Sequence, residues 1–253
     1  MKTSLNLTKL KEYGFAVIGL AVVISLIAFV DDKAKVKRCK GLEVSLGDNN
    51  SQYYLSEEDI VKYVTRNGQE PLNGMLLSDI DLSKLEERVR EIKQIEFCEA
   101  YGDLQGMIHL EVKPYIPYVR VISSNGRDQY IDKDGRYFPL SKYHTSRVLL
   151  LTGSYFNQKP DLEVEDNDLM KLVHTIKNND FWNAQIAQID IDRNGQVSFV
   201  PVLGNHIIEF GPATHIEEKL NKLKIYYKQI MPVQGWDKFS KIKIQYKNQV
   251  VCE

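Results

Sequence analysis

The chain has 253 residues and a formal net charge of −1 at pH 7, with 33 basic and 34 acidic side chains. This balance gives no indication of a nucleic-acid partner, which would call for a clustered basic surface. The three cysteines, Cys39, Cys98 and Cys252, have no short spacing, which excludes a disulfide framework and a zinc site of the usual kind. We expect buried thiols, with a single Cys98–Cys252 bridge as the alternative.

Residues 13–30, YGFAVIGLAVVISLIAFV, contain no charged side chain. As a helix this stretch would rise roughly 27 Å, close to the thickness of a bilayer's hydrocarbon core. A cleaved signal peptide would have a shorter apolar core and an A-x-A-like cleavage site, and a buried helix of a soluble protein would carry a polar face. The sequence therefore predicts a single transmembrane helix at 13–30, a tail at 1–12 and a charged linker at 31–40.

The orientation of this helix does not follow from local charge, because lysines flank both of its ends. Large domains are translocated largely regardless of nearby charge. A short tail followed by a large domain is typical of a signal-anchor. We therefore expect the N-terminus in the cytoplasm and residues 31–253 outside it.

The first folded module begins at Gly41. Alternating apolar residues in GLEVSL predict a strand, and Ser56 followed by three acidic residues predicts the start of a helix. Leu82, Leu85, Val89 and Ile92 predict a second helix. Strands are predicted around 95–101 and 107–112, joined by the turn GDLQG. The order strand-helix-helix-strand-strand predicts two helices on one face of a three-stranded sheet.

Pro114 and Pro117 interrupt this pattern, which places a domain boundary near residue 114. The rest of the chain is rich in strands, with helices predicted at about 165–177 and after a capping box at Thr214–Glu217. The final segment, 241–252, alternates apolar and polar residues and predicts one closing strand. The fold class is α+β, with helices packed on an antiparallel or mixed sheet.

This order of elements, together with several ordered segments, resembles the FtsQ/DivIB family of bacterial cell-division proteins. The segments are GLEVSL before LSEEDIVKYV, IHLEVKPYIPYVRVI, YIDKDGRYFPLS, HIIEFG and the closing KIKIQYKNQVV. The resemblance implies a POTRA domain at 41–113 and the family's β domain at 114–253. One departure is Pro114-Tyr-Ile-Pro117, where only Pro117 matches the Glu-Arg-x-Pro that many members have.

The resemblance also implies a role in the divisome, the assembly that builds the septum, at the division site of the inner membrane. The family binds FtsB-like and FtsL-like proteins, and the contact with FtsB involves the last strand. This implies partner-binding residues on that strand: Ile244, Tyr246, Asn248, Gln249 and Val250. An extended partner would pair with the backbone of an open sheet edge. The alternative is that Ile244 and Tyr246 pack into the core while lysines protect the edge. A second candidate edge is the strand at 42–46.

Catalytic and metal-binding motifs give no positive signal. The segment DIDRNG at 190–195 matches half of a calcium loop, but Pro201 stands where the bidentate glutamate is needed, so a hairpin turn is expected. The sequence therefore predicts no enzymatic activity, no metal, no cofactor and no small-molecule substrate. The leading prediction is a membrane-anchored division scaffold. Alternatives are a POTRA-bearing component of outer-membrane protein assembly or secretion, and an anchored envelope hydrolase.

Overall fold

The computed structural model describes residues 18–22, 37–47, 56–123, 126, 128–141 and 145–253. Of the predicted membrane helix, only 18–22 is described, and it is helical. None of the helices in these ranges combines the length and the apolar character needed to cross a bilayer. The rest of the predicted helix, the tail at 1–12 and residues 31–36 of the linker lie outside the described residues. The chain forms two compact units, and the boundary between them lies between Lys113 and Pro114.

The first unit confirms the predicted element order. Its elements are β1 (Gly41–Leu46), α1 (Glu57–Val64), α2 (Leu82–Arg90), β2 (Ile95–Gly102) and β3 (Met107–Pro114). The sheet order is β1-β3-β2, with β1 parallel to β3. As predicted, Ser56 caps α1 by accepting a hydrogen bond from the Asp59 backbone N–H at 3.1 Å.

The core of this unit lies between the sheet and its two helices. Ile60, Val64, Leu85 and Val89 on the helices are buried, as are alternate residues of the strands such as Leu110. Residues 37–40 belong to this unit as well, because the N–H of Lys40 bonds to the carbonyl of Gly106 and the N–H of Leu77 to that of Lys37. The predicted linker therefore ends before residue 37.

The second unit is a nine-stranded mixed sheet with helices. The strands are β4 (Val119–Val121), β5 (Gln129–Ile131), β6 (Tyr137–Pro139), β7 (Leu149–Thr152), β8 (Ile186–Ile191), β9 (Gln196–Pro201), β10 (Ile207–Pro212), β11 (Lys241–Lys243) and β12 (Val251–Cys252). Their order across the sheet is β12-β11-β10-β9-β8-β7-β4-β5-β6.

The helices of the second unit are α3 (Asp168–Lys177), α4 (Asp180–Gln185), α5 (Ile216–Gln229) and α6 (Met231–Gln234). One apolar core joins them to the sheet; Leu172 and Leu223 from the helices pack with Ile189 and Phe210 from the strands. Apolar residues repeat every three or four positions in α3 and α5, and every second position in β8 to β10, because these periods place one stripe on the buried face.

The predicted capping box at Thr214 is wrong. The Thr214 backbone N–H bonds to the carbonyl of Pro212 at 2.7 Å, which forms a tight turn. His215 follows with φ 52°, in the left-handed region, and makes no side-chain cap. The residues that the sequence pattern assigned to a helix cap therefore form the sharp turn after β10.

The predicted single strand over 241–252 is also wrong. After β11 the Ile244 N–H bonds to the carbonyl of Glu209, and the chain then leaves the sheet. It turns at 246–248, where Asn248 has φ 58°, and returns as β12 antiparallel to β11. β11 is parallel to β10 on its other side, so it is an interior strand. The sheet edge is the short β12.

Candidate functional site

The outer side of β12 is an edge of the nine-stranded sheet. Lys241 and Glu253 exchange two backbone hydrogen bonds of 3.0 Å, and Lys243 lies opposite Val251. In an antiparallel pair, hydrogen-bonded positions alternate with positions whose N–H and C=O point away from the partner. The Cys252 backbone therefore points outward, where it can pair with an additional strand.

A groove of about 350 Å³ lies beside this edge, between α5 and the segment that connects α6 to β12. Its apolar lining consists of Ile225, Ile230, Phe239 and Val250. Ile225 is 54% exposed, so its apolar side chain is open to solvent on this side of α5. We call this feature the C-terminal groove. It suits the apolar side chain of an extended segment that pairs with β12.

Tyr226 and Cys252 also line the C-terminal groove. Tyr226 is 3% exposed, and its hydroxyl is buried with no oxygen or nitrogen partner among the described residues. Burial is the main cause that raises the pKa of Tyr226, and the nearby thiol of Cys252 raises it further. The thiol is a weak acceptor for this hydroxyl, so the pair is weaker than an ordinary hydrogen bond.

The polar groups around the groove are mostly engaged within the chain. Lys222 donates from Nζ to the Tyr246 carbonyl at 2.6 Å and lies 3.8 Å from Glu218. On β11, Lys243 contacts Glu253 at 2.7 Å. This contact raises the pKa of Lys243 and lowers that of Glu253. The edge is therefore bordered by paired lysines, a common protection of exposed strands.

The structure separates the five predicted binding residues. Ile244 is fully buried in the core, so its predicted contact with a partner is corrected to a packing role. Tyr246, Asn248 and Gln249 lie exposed in the turn between β11 and β12, not on an edge strand. Val250 lines the C-terminal groove. Val250 therefore lines the groove next to β12, and the Tyr246 carbonyl is bonded to Lys222, which lines the same groove.

An aromatic cluster supports the wall of the groove. His206 Nε2 is 3.1 Å from the Tyr227 hydroxyl, and the Trp236 ring stacks near His206 with centroids 6.5 Å apart. The cluster fixes the segment after α6, which carries Lys238 and Phe239. Sequence reasoning missed this segment because α6 is only four residues long. Its signals are Pro232 in the first turn of α6 and Gly235 at its end.

The first unit has an open edge of its own at β1. A cavity of about 970 Å³ lies beside it, lined by Leu42, Leu46 and Val61 together with Glu57 and Glu58. Among the described residues, β1 pairs with β3 on one side and with no strand on the other. Residues 48–55, which follow β1, are not described, so the C-terminal groove is the better-defined site.

The motifs that suggested chemistry are turns. Asp192 accepts hydrogen bonds from the backbone N–H groups of Asn194 and Gln196 at 2.7 and 2.9 Å, which closes the predicted β8–β9 hairpin. Asp132 does the same for Asp134 and Arg136. In the described part of the chain, no three metal-binding side chains converge. The three cysteines are free thiols in the structure; Cys39 and Cys98 are buried, as expected, and Cys252 is half-buried.

Comparisons with known proteins agree with this architecture. A family model described as "FtsQ/DivIB, C-terminal related" matches residues 116–253, and one described as "POTRA-like domain" matches residues 37–113. No curated protein matches the chain. The first match spans more than half of the sequence and contains both β12 and the C-terminal groove. The protein therefore belongs to the FtsQ/DivIB family.

Proposed function

We propose that this protein is a membrane-anchored, non-enzymatic scaffold of the bacterial divisome. In this proposal it recruits FtsB-like and FtsL-like proteins through the β12 edge and the C-terminal groove. Family membership supports the general role in cell division. The identity of the partners, the membrane anchor and the binding site are proposed in addition to that role.

The observation that carries the recruitment proposal is the outward-facing Cys252 backbone beside an apolar groove. An added strand would form main-chain hydrogen bonds, each contributing about 0.5–1.5 kcal/mol. An apolar side chain in the groove would add about 1.5–3 kcal/mol if it became fully buried. Specificity then comes from the groove, because main-chain bonds do not distinguish sequences. Within the predicted binding residues, Tyr246, Gln249 and Val250 are the proposed contacts.

The anchoring proposal rests on the uncharged sequence at 13–30 and on the length of the domain after it. It places the two folded units outside the cytoplasm, on the periplasmic side of the inner membrane. Fractionation of cells followed by protease treatment tests this orientation. Degradation in intact spheroplasts supports it, and complete protection contradicts it.

A proline at Cys252 gives the sharpest test of recruitment. Cys252→Pro removes an outward N–H while the hydrogen bonds of Val251 and Glu253 to β11 can stay in place. Cys252→Ala is the matched control, because it keeps the N–H and removes only the thiol. In a pull-down with the FtsB-like protein of the same bacterium, we expect the proline variant to lose binding and the alanine variant to retain it. Equal binding by both variants would reject the site.

Localisation in the cell distinguishes a division scaffold from the alternative assignment, a component of outer-membrane protein assembly. A fluorescent fusion of a division scaffold concentrates at mid-cell, whereas an assembly factor is distributed around the envelope. A uniform envelope signal in dividing cells would therefore count against the proposal.

A further inference from the structure

An exposed apolar surface lies at the end of the second unit where β9 ends and where β10 and β11 begin. The loop between β9 and β10 carries Val202 and Leu203, which are 57% and 55% exposed. Val233 on α6 is 79% exposed, and Trp236, just after α6, is 39% exposed. None of these four residues lines the C-terminal groove. We call them the apolar tip.

The two segments that form the apolar tip are neighbours in space. A Cβ atom on Gly204, in the β9–β10 loop, would lie 3.4 Å from the carbonyl oxygen of Trp236. The Trp236 ring stacks near His206, which belongs to the same loop. The Ile207 N–H bonds to the carbonyl of Ser240 at 2.9 Å. The loop and the segment after α6 therefore present one surface.

The composition of this surface is not that of an ordinary hairpin loop. Hairpin connections are usually built from Gly, Asn, Asp, Pro and Ser. Here two large aliphatic side chains lie at the connection, beside a tryptophan and a mostly exposed valine. Single exposed apolar residues need no explanation, but a group of them marks a surface that binds a protein or a membrane.

The charges around the apolar tip are positive. Residues 219–240 contain five lysines and one acidic residue, Asp237, although the whole chain has a net charge of −1. Lys228, in the last turn of α5, and Lys238, two residues after Trp236, are exposed. Lysine is depleted in protein–protein interfaces, whereas lysines around tryptophan and aliphatic side chains are typical of surfaces that bind at a lipid–water interface. The charges therefore favour a bilayer over a protein as the partner of this surface.

We propose that the apolar tip enters the interfacial region of an anionic bilayer, so that the second unit contacts the membrane directly. Trp236 would lie at the level of the headgroups, where tryptophan is enriched. The three aliphatic side chains would contact the acyl chains, and Lys228 and Lys238 would face the anionic headgroups. This contact goes beyond the proposed function. The proposed anchor supports it, because residues 31–36 span at most about 21 Å between the bilayer and the folded chain.

Tryptophan fluorescence tests the contact, because the chain has two tryptophans and the other one, Trp182, is buried in the core. The full chain is reconstituted into nanodiscs of phosphatidylcholine and phosphatidylglycerol, with or without bromine on the acyl chains. Bromine quenches a tryptophan that it contacts. We expect the brominated lipid to quench the wild type clearly and Trp236→Phe little. No quenching of the wild type, or equal quenching of both proteins, would overturn the proposal.

Further variants separate the apolar contribution from the charge. Leu203→Ser combined with Val233→Ser should remove most of the quenching. Leu104→Ser, at an exposed leucine of the first unit, is the matched control and should leave the quenching unchanged. Lys228→Gln should lower the ratio of docked to free tip about fivefold. Unchanged quenching in the double serine variant would contradict insertion of the apolar tip.

Alkaline extraction of the same protein from liposomes reports the proposed anchor separately. If the chain resists extraction but Trp236 is not quenched, the anchor is supported and the membrane contact of the tip is overturned. If the chain is extracted although Trp236 is quenched, the anchor is wrong and the contact is supported. If Trp236 is not quenched and hydrogen exchange at the tip slows only when the FtsB-like protein is added, a protein covers this surface and the proposal is overturned.

Discussion

Lys222 on α5 donates a 2.6 Å hydrogen bond from its Nζ to the backbone carbonyl of Tyr246, in the turn between β11 and β12. The helix and the turn are separated by 24 residues in sequence, and this bond connects one side of the C-terminal groove to the chain that leads into β12. The Lys222 side chain is only 15% exposed, so the bond is partly shielded from water. The position of the sheet edge therefore depends on α5.

Replacing Lys222 with methionine should loosen the turn without removing the core. We expect Lys222→Met to lower the free energy of unfolding by about 1 kcal/mol and to weaken partner binding several-fold. Lys228, exposed on the same helix, provides the control. Urea denaturation and pull-down of both variants check this. If Lys228→Met loses binding to the same degree, the weaker binding of Lys222→Met results from the lost positive charge and not from a looser turn.

The three thiols should differ in reactivity toward a maleimide. Cys39 and Cys98 are 1% and 0% exposed, and burial raises the pKa of Cys98 to about 11. Cys252 is half-buried in the C-terminal groove. We expect the native full chain to be labelled once, at Cys252, as located by mass spectrometry of peptides.

The label would fill the groove and should block binding of the FtsB-like protein. Cys252→Ala is the control; it should remain unlabelled and continue to bind after treatment. Fast labelling of Cys98 in the native chain would contradict the structure.

His206 should make stability depend on pH. Burial lowers the pKa of His206 from its ordinary value of 6.5. The folded chain therefore holds the neutral ring, and the unfolded chain takes up a proton first as the pH falls. The stability contribution is fully present above pH 6.5 and declines as the pH falls toward the folded pKa.

Urea denaturation at pH 7.5, 6.5 and 5.5 measures this dependence. We expect His206→Gln to be less stable than the wild type at pH 7.5 and to lose less stability between pH 7.5 and 5.5. The other histidines are present in both proteins, so the difference isolates His206. Parallel pH profiles would contradict the burial of a neutral ring at this position.

Gly153 and Gly195 provide a matched pair for testing the sheet. Gly153 has φ 110°, and a Cβ there would overlap the carbonyl of Ile191 on β8. Gly195 has φ 75° but no atom within 4 Å of the same position. We expect Gly195→Ala to cost about 1 kcal/mol and Gly153→Ala at least about 2–4 kcal/mol. Equal losses in denaturation would show that β7 and β8 are not in the described register.

Local patterns predicted the elements whose causes are local. Ser56 caps α1 as its sequence indicates, and Leu85 and Val89 bury the predicted face of α2. The β8–β9 hairpin follows from Asp192 and the glycine after it. In each case the deciding contacts lie within a few residues, so a single sequence is enough.

The candidate site could not be predicted in detail, because it is formed by contacts between residues that are distant in sequence. The alternation through Ile242 and Ile244 predicted a continuous strand, but the ladder with β10 ends at the bond of Ile244 to Glu209, and the chain then turns back through Asn248, which has φ 58°. The groove combines α5, the segment after α6 and β12. Its residues are distant in sequence, and four residues of α6 are too few for a periodic signal.

The central claim is that a partner adds a strand to β12. Hydrogen exchange of the full chain, measured with and without the extracytoplasmic part of the FtsB-like protein, tests it most directly. We predict slower exchange at residues 250–253, the outward Cys252 N–H above all, and on the exposed side of α5. Slower exchange confined to β1, or to residues away from both β12 and α5, would contradict the account.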